Sequence, residues 1–241
     1  MNSGTISFTN ITVNKTSGSN NVGASFGSGS SVTGTLQIGA GGYISSAPPT
    51  NFYESSAILA FNQGESSTYD VNIGDNSWST TEVPNSITIS SGTVTLNEAR
   101  TITTAVIVNS GATLATNNNL TVSSGASLTN NGTISGNLAY EREIAAHKSF
   151  KMLASPISTS ASDLLAELWT QGQTSGGDTD QGGSNVWTWN STVSGYDISD
   201  WSPITNISAY TLSGATGILV YDYDNDDYAG GQDNAVTTLS V

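Results

Sequence analysis

The sequence predicts an all-β protein: a parallel β-helix, or solenoid, followed by a β-sandwich-like domain with one short α-helix. Three observations predict it. Short strand patterns with a common corner recur in the first 138 residues. Charged residues make up only 10% of the chain, against roughly 25% in ordinary soluble domains, with Ser, Thr, Asn and Gly in their place. A single stretch carries both a helix start and a helix stop.

The repeat is carried by "ITISSGTVTL" (87–96), "VIVNSGATL" (106–114) and "LTVSSGASL" (120–128). Each has two apolar residues spaced by two, then a polar residue, Ser and Gly, then a second short strand. The glycines are Gly92, Gly111 and Gly125, spaced by 19 and 14 residues. "LQIGAGGYI" (36–44) and "ITVNKTSG" (11–18) are looser copies. Such a chain coils: each coil turns at a glycine that tolerates positive φ, and each strand pairs with the one a coil later. An antiparallel sandwich of short strands is the competing arrangement, but hairpins do not require the repeated Ser-Gly offset. Ile89, Val108 and Val122 are then expected to point inward at equivalent coil positions. The runs "TNNNL" (116–120) and "TNNG" (129–132) suit left-handed corners and amide ladders between coils.

After Leu138 the pattern changes. "NLAYEREIAAHKSFKMLASPIS" holds Arg142, Lys148 and Lys151, three of the five cations. In "STSASDLLAELWTQG", Ser160 is placed to cap, Asp163 follows three residues on, and Gly172 stops the pattern. This predicts a helix near 161–171 with Leu164, Leu165, Leu168 and Trp169 as its apolar face. "NVWTWN", "GYDISDW", "ISAYTL" and "GILVYDYD" read as strands of an aromatic-rich domain. The expected domains are therefore 1–138, the β-helix coils, and 139–241, the acidic β domain. The first holds two cations against six acids, net −4, and the second three against thirteen, net −10.

The formal charge of −14 and the pI of about 4.1 exclude nucleic acid as a partner, which needs clustered Lys and Arg. They exclude an anionic membrane surface for the same reason. The chain has no cysteine, so neither disulfides nor thiolate metal sites are expected. No apolar run approaches the ~20 residues of a membrane span. "MNSGTISFTN" has neither the basic region nor the apolar core of a signal peptide. "NAVTTLSV" stops in a strand pattern, and the segment is expected to come from a longer protein.

"ILAFNQGESSTYDV…VPNSITISSGTVTLNEARTI" is similar to a segment of large secreted surface proteins of Bacteroidota. There a Tyr-containing strand precedes a "P-x-x-[IV]-x-[IV]-x-x-G-x-[VL]-x-L-x-x-x-R-T" coil, matched here by Pro84 to Thr101. "SFKMLASPIS…LLAELWTQG…NVWTWN…GILVYDYDND" resembles the β module that often follows in those proteins. Together these cover roughly 55–241. The resemblance implies export by the type IX secretion system and a sorting domain outside this chain. It implies no catalytic residues.

Two groups of residues are candidate sites. In "DYDNDDYAGGQD", counted from Asp222, acids stand at positions 1, 3, 5, 6 and 12. Asp222, Asp224, Asp226 and Asp233 fall where a calcium loop wants its oxygens. Asp227 sits where such a loop has Gly, position 12 is Asp rather than Glu, and no helix follows. A solvated acidic hairpin is the competing reading. Trp187 and Trp189, with Trp201, Tyr221 and Tyr223 nearby in sequence, offer aromatic faces for a glycan platform. The competing reading places Trp187 and Trp189, on one strand face, in the core of a small domain.

His147 is the single histidine, so a multi-histidine metal site is excluded, and no G-x-S-x-G elbow is present. Carbohydrate cleavage on a β-helix would want a cationic partner beside carboxylates, and residues 1–138 offer only Lys15 and Arg100. No catalytic residues are assigned and no enzyme is expected. The expected function is an extracellular, cell-surface adhesin or structural, filament-type component. The alternative is a carbohydrate-binding module of a larger secreted enzyme. The expected partners are the chain itself, as a homo-oligomer or fibre, and extracellular glycans.

Overall fold

A computed structural model describes residues 6–15, 22–144, 149–155, 158–179, 182–190, 200–213, 216–223 and 237–240. The chain divides into two compact units, Met1–Ala139 and Tyr140–Val241.

The first unit is a parallel β-solenoid. Among the described residues it makes six coils, traced in chain order. β1 (Ile6–Val13) and β2 (Val22–Ala24) form the first, β3 (Ser30–Gly39) and β4 (Gly42–Ile44) the second, and β5 (Ile58–Asn62) and β6 (Thr68–Val71) the third. The fourth holds β7 (Ser86–Ser91), β8 (Thr93–Leu96) and β9 (Arg100–Ile102). The fifth holds β10 (Ala105–Val108), β11 (Thr113–Ala115) and β12 (Leu120–Val122). The sixth holds β13 (Ser127–Asn130) and β14 (Thr133–Ser135). The long sheet runs β1-β3-β5-β7-β10-β13, and a second runs β6-β8-β11-β14, all parallel. β9 pairs with β12 on a third face, and β2 with β4 in a short sheet of their own.

Because strands pair in register, like residues stack. Ile11, Leu36, Leu59, Ile87, Val106 and Leu128 form one column, and Val13, Ile38, Phe61, Ile89 and Val108 another. Leu36, Leu59, Ile87 and Val106 are fully buried, as are Ile38, Phe61, Ile89 and Val108. Period-two alternation places these residues inside and their Thr and Ser neighbours outside. On the second sheet Thr68, Thr93, Thr113 and Thr133 stand in line on the outer face.

Ile89, Val108 and Val122 all point inward, each fully buried. They are not, however, equivalent. Ile89 and Val108 are register partners, but Val108 pairs next with Asn130, and Val122 belongs to the third face beside Ile102. The Ser-Gly motif is the signature of a corner, and a coil has several corners. Gly92 and Gly111 turn the first corner of their coils and Gly125 turns the last. In the next coil, at Gly132, a Cβ would strike the carbonyls of Asn109 and Ala112. At Gly92 a Cβ would come within 2.5 Å of the Gly64 carbonyl and 2.7 Å of that of Ser67. Gly92 and Gly132 are thus packed too closely for any side chain, whereas Gly111 and Gly125 have open space and need glycine only for their positive φ.

The asparagines behave as the composition suggests. Asn117 and Asn118 have φ of 49° and 63°. The Asn97 amide donates to Asn72 at 2.9 Å and that of Asn117 to Asn97 at 3.3 Å, linking three coils. Arg100 is turned into the core. Its Nε donates to the Trp78 carbonyl at 2.7 Å, and its Nη1 to Glu98 and to the Ala99 carbonyl at 2.8 Å.

The second unit is antiparallel. Its elements are β15 (Ala139–Ile144), β16 (Ser149–Ala154), β17 (Thr159–Ser160), α1 (Ala161–Leu164), β18 (Val186–Trp189), β19 (Trp201–Pro203), β20 (Thr211–Leu212), β21 (Gly217–Asp222) and β22 (Thr237–Ser240). The main sheet has the order β16-β21-β18-β19, while β15 pairs with β22 and β17 with β20. Leu153, Val186, Ile218 and Val220 on the sheet pack against Ala161, Leu164, Leu165, Leu168, Ile207 and Leu212.

The helix is much shorter than the predicted 161–171. Ser160 caps it as expected, accepting the Asp163 N–H at 3.0 Å, but it ends at Leu164. The chain then tightens into i+3 turns, with Ala166 N–H bonded to Asp163 O and Leu168 N–H to Leu165 O. Tightening lets Leu164, Leu165 and Leu168 all enter the core, whereas Trp169 stays half-buried outside it. A buried amide takes over from the helix: Asn185 accepts the Gln171 N–H at 2.8 Å and donates to the carbonyls of Trp169 and Tyr221.

Candidate functional site

The main sheet of the second unit has two unlike faces, and register decides which residue lies on which. Phe150 pairs with Tyr221, Met152 with Leu219 and Ala154 with Gly217. Trp187 lies between Leu219 and Pro203, and Trp189 pairs with Trp201. All of these share one face. The alternate residues, Leu153, Ile218, Val220 and Val186, form the core on the other. A strand that alternates normally shows water its polar half. Here the face away from the core is apolar and aromatic.

That face is open. Phe150 is 60% exposed and Met152 67%, while Trp187, Trp189, Trp201 and Tyr221 are half-buried. Most of these rings meet edge to face, and Phe150 and Trp187 are tilted at 54°. Phe150 meets Tyr221 at 4.9 Å and Trp187 at 5.9 Å, and Tyr221 meets Tyr223 at 4.6 Å. Tyr223 in turn meets Trp169 at 5.2 Å. Edge-to-face contacts suit the ring quadrupole and hold each ring upright. Trp189 and Trp201 form a second pair at 5.1 Å and 64°. With Met152 and Gly217 they line a cleft of about 490 Å³. Because the two indoles are inclined, they make a notch rather than a flat platform.

Trp187 and Trp189 therefore do not belong to the core, as the competing reading of the sequence had it. They stand on the opposite side of the sheet and are brought together with Trp201 and Tyr221. Sequence reasoning missed Phe150 and Met152. The signal was the alternation in "SFKML", but alternation alone does not say which set faces inward.

Asp222, the first candidate calcium ligand, ends β21 and is 5% exposed. It pairs with Ser149 and lies on the core side, on the face opposite Tyr221. Asp224, Asp226, Asp227 and Asp233 lie outside the described residues, as does His147. Among the described residues no three His, Cys, Asp or Glu side chains are grouped to hold a metal ion. No helix among them is long and apolar enough to cross a membrane.

The first unit carries an unusual buried polar group. The Tyr69 hydroxyl donates to Asp75 at 2.8 Å and lies 2.7 Å from Ser77 Oγ, which accepts the Ile44 N–H. The Tyr53 hydroxyl donates to the Ser77 carbonyl at 2.9 Å. Burial of the two hydroxyls, with the Asp75 charge beside them, pushes both phenols far above the ordinary tyrosine range. Asp75 also accepts the N–H groups of Ser77 and Trp78, so the cluster ties the second and third coils together. No family model, no curated protein and no solved structure matches the chain.

Proposed function

We propose that this chain is part of a non-enzymatic, secreted cell-surface protein of the adhesin type, whose solenoid accompanies a glycan-binding β domain. The observation that carries the reading is the outward aromatic face of the β16-β21-β18-β19 sheet. Exposed apolar patches on soluble proteins mark interaction sites. Indole and phenol faces suit the C–H faces of sugar rings, and the Trp189–Trp201 notch is large enough to take a sugar ring or two. The low charge of the solenoid and its ladders of Thr and Asn suit an extracellular structural element. Arg100, one of two cations in residues 1–138, is buried and bonded, which speaks against a charge-neutralising catalytic role. The resemblance to type IX cargo supports the extracellular setting. The same surface would equally serve a larger secreted enzyme as its carbohydrate-binding module.

The test is a glycan array probed with the whole chain, then titration of the retained glycans. Trp201→Ala and Trp189→Ala should each weaken binding by about tenfold, one stacking contact, with the melting temperature unchanged. An array with no hits, or hits indifferent to both substitutions, ends the glycan reading.

A second reading, assembly into fibres, draws on β1. Among the described residues this eight-residue strand pairs on one edge only, and Ile6 is 54% exposed. Open strand edges are templates for another chain. Light scattering over a wide concentration range tests this, and a monomer throughout rejects it.

A further inference from the structure

The solenoid is not continuously stacked. Among the described residues β4 pairs only with β2, and β6 only with β8. β4 belongs to the second coil and β6 to the third, yet their facing edges do not pair. A cleft of about 680 Å³ opens at this break. One wall is Ala40, Gly41, Gly42 and Tyr43, and the other includes Thr68, Asp70 and Asn72, with Lys15 at the rim. The first wall is nearly bare backbone. Gly41 turns with φ of 71°, and a Cβ at Gly42 would strike the Val13 carbonyl. Both positions therefore need glycine, and the cleft stays open beside them.

Three side chains in this cleft have chemistry that the fold does not use. Tyr43 is 39% exposed. Its ring packs over Gly23, where a Cβ would come within 2.7 Å of the ring carbon Cζ. This backing fixes the ring while leaving it accessible from the cleft. Asp70 is exposed, and its carboxylate has no partner among the described residues. Lys15 is the only cation of residues 1–138 not buried in the core, and its ammonium likewise has no partner among the described residues. Asp75, by contrast, is fully engaged by Tyr69, Ser77 and Trp78.

We infer that this cleft is a second carbohydrate site, independent of the aromatic face, which takes a neutral oligosaccharide. A ring for stacking, a carboxylate that accepts, an ammonium that donates and open strand edges match an array of sugar hydroxyls. The opposite charges of Asp70 and Lys15 give the cleft no strong preference for an ionic ligand. A peptide added as a strand would need apolar pockets for alternate side chains. This cleft lacks them, since hydroxyls, amides and backbone line most of it. Its volume lies within the 300–1,000 Å³ range of small-ligand sites and fits a short oligosaccharide.

The experiment is hydroxyl-radical footprinting of the whole chain, read at Tyr43 and separately at Trp201. The probes are cellohexaose, laminarihexaose and mannohexaose, with hexagalacturonate and a Val/Thr-rich hexapeptide as controls. At least one neutral hexaose should protect Tyr43. Asp70→Asn and Gly23→Ala, which pushes the ring out of place, should each weaken that protection about tenfold. Trp201→Ala should leave it unchanged. Protection at Trp201 alone leaves the aromatic-face reading standing and overturns this one. No neutral hexaose protecting Tyr43, preference for the uronide or the peptide, or protection indifferent to Asp70→Asn would also overturn it. Gly23 and Asp70 are exposed and Trp201 is half-buried, and circular dichroism confirms that the variants keep the wild-type fold before they are scored.

Discussion

Ile89 has Phe61 on one side and Val108 on the other, each a coil away in an unbroken column. Asn185, in the second unit, draws its partners from Trp169, Gln171 and Tyr221. The two units thus solve the same problem differently. The solenoid repeats one local solution, so a buried residue's environment is its own counterpart one coil away. The antiparallel unit brings distant segments together and holds them with buried side-chain amides. Gln173 adds to this by donating to the carbonyls of Gln171 and Ile204 and to Ser184. Columns tolerate exchange of one apolar residue for another, whereas an amide network tolerates little.

Substitutions can break or sharpen that contrast. The largest effect is expected at Phe61, fully buried against Tyr69 and Trp78. Phe61→Ala should cost about 3–5 kcal/mol in urea unfolding, by transfer loss and cavity. Phe61→Leu should recover much of it, because a column needs volume more than shape. Asn185→Ala comes next, at about 3 kcal/mol, since it strands an N–H and two carbonyls in the interior. Asn185→Leu should rescue nothing. If the apolar replacement restores stability, the two units differ less than stated here.

Third, pH separates them. The Tyr53 and Tyr69 phenols are held neutral in the fold, with pKa values raised above the unfolded value of about 10. The native state keeps protons that the unfolded chain loses. Their stabilisation is therefore complete below about pH 10 and falls as pH rises above it. The decline is about 1.4 kcal/mol per pH unit for each tyrosine. Unfolding of the solenoid followed between pH 9 and 12 should show this slope, and Tyr69→Phe should halve it. A slope unchanged by Tyr69→Phe would contradict the burial. The smallest effect is expected at the exposed amide ladder. Asn97→Ala, which breaks the links to Asn72 and Asn117, should cost less than about 1 kcal/mol.

Much of the solenoid was legible because its signals are local. Thr88 between Ile87 and Ile89, and Thr121 between Leu120 and Val122, mark the apolar set as the inward one of a coil, and Asn117 and Asn118 announce a left-handed corner. The motif marks corners and not coils, so Val122 carries the same signal as Val108 without stacking on it. No local feature distinguishes the corner at Gly125 from that at Gly111. Only the pairing partner does, and it is about twenty residues away. In the second unit the helix cap at Ser160 was legible, but the helix end was not. Leu165 and Leu168 have helical spacing, yet after Leu164 the chain continues in i+3 turns.

The parallel coil, the amide-rich corners and the break in character after Leu138 could be read from the amino acids alone. These follow from alternation, glycine and asparagine conformation, and composition, all properties of neighbouring residues. Only the tertiary structure decided that Trp187 and Trp189 face away from the core, that Phe150 and Met152 join them, and that Arg100 turns inward. It alone decided that β4 and β6 fail to pair and leave a cleft. Alternation says that two sets of side chains part company but not which set meets the rest of the protein. That choice is made where strands distant in sequence find their register.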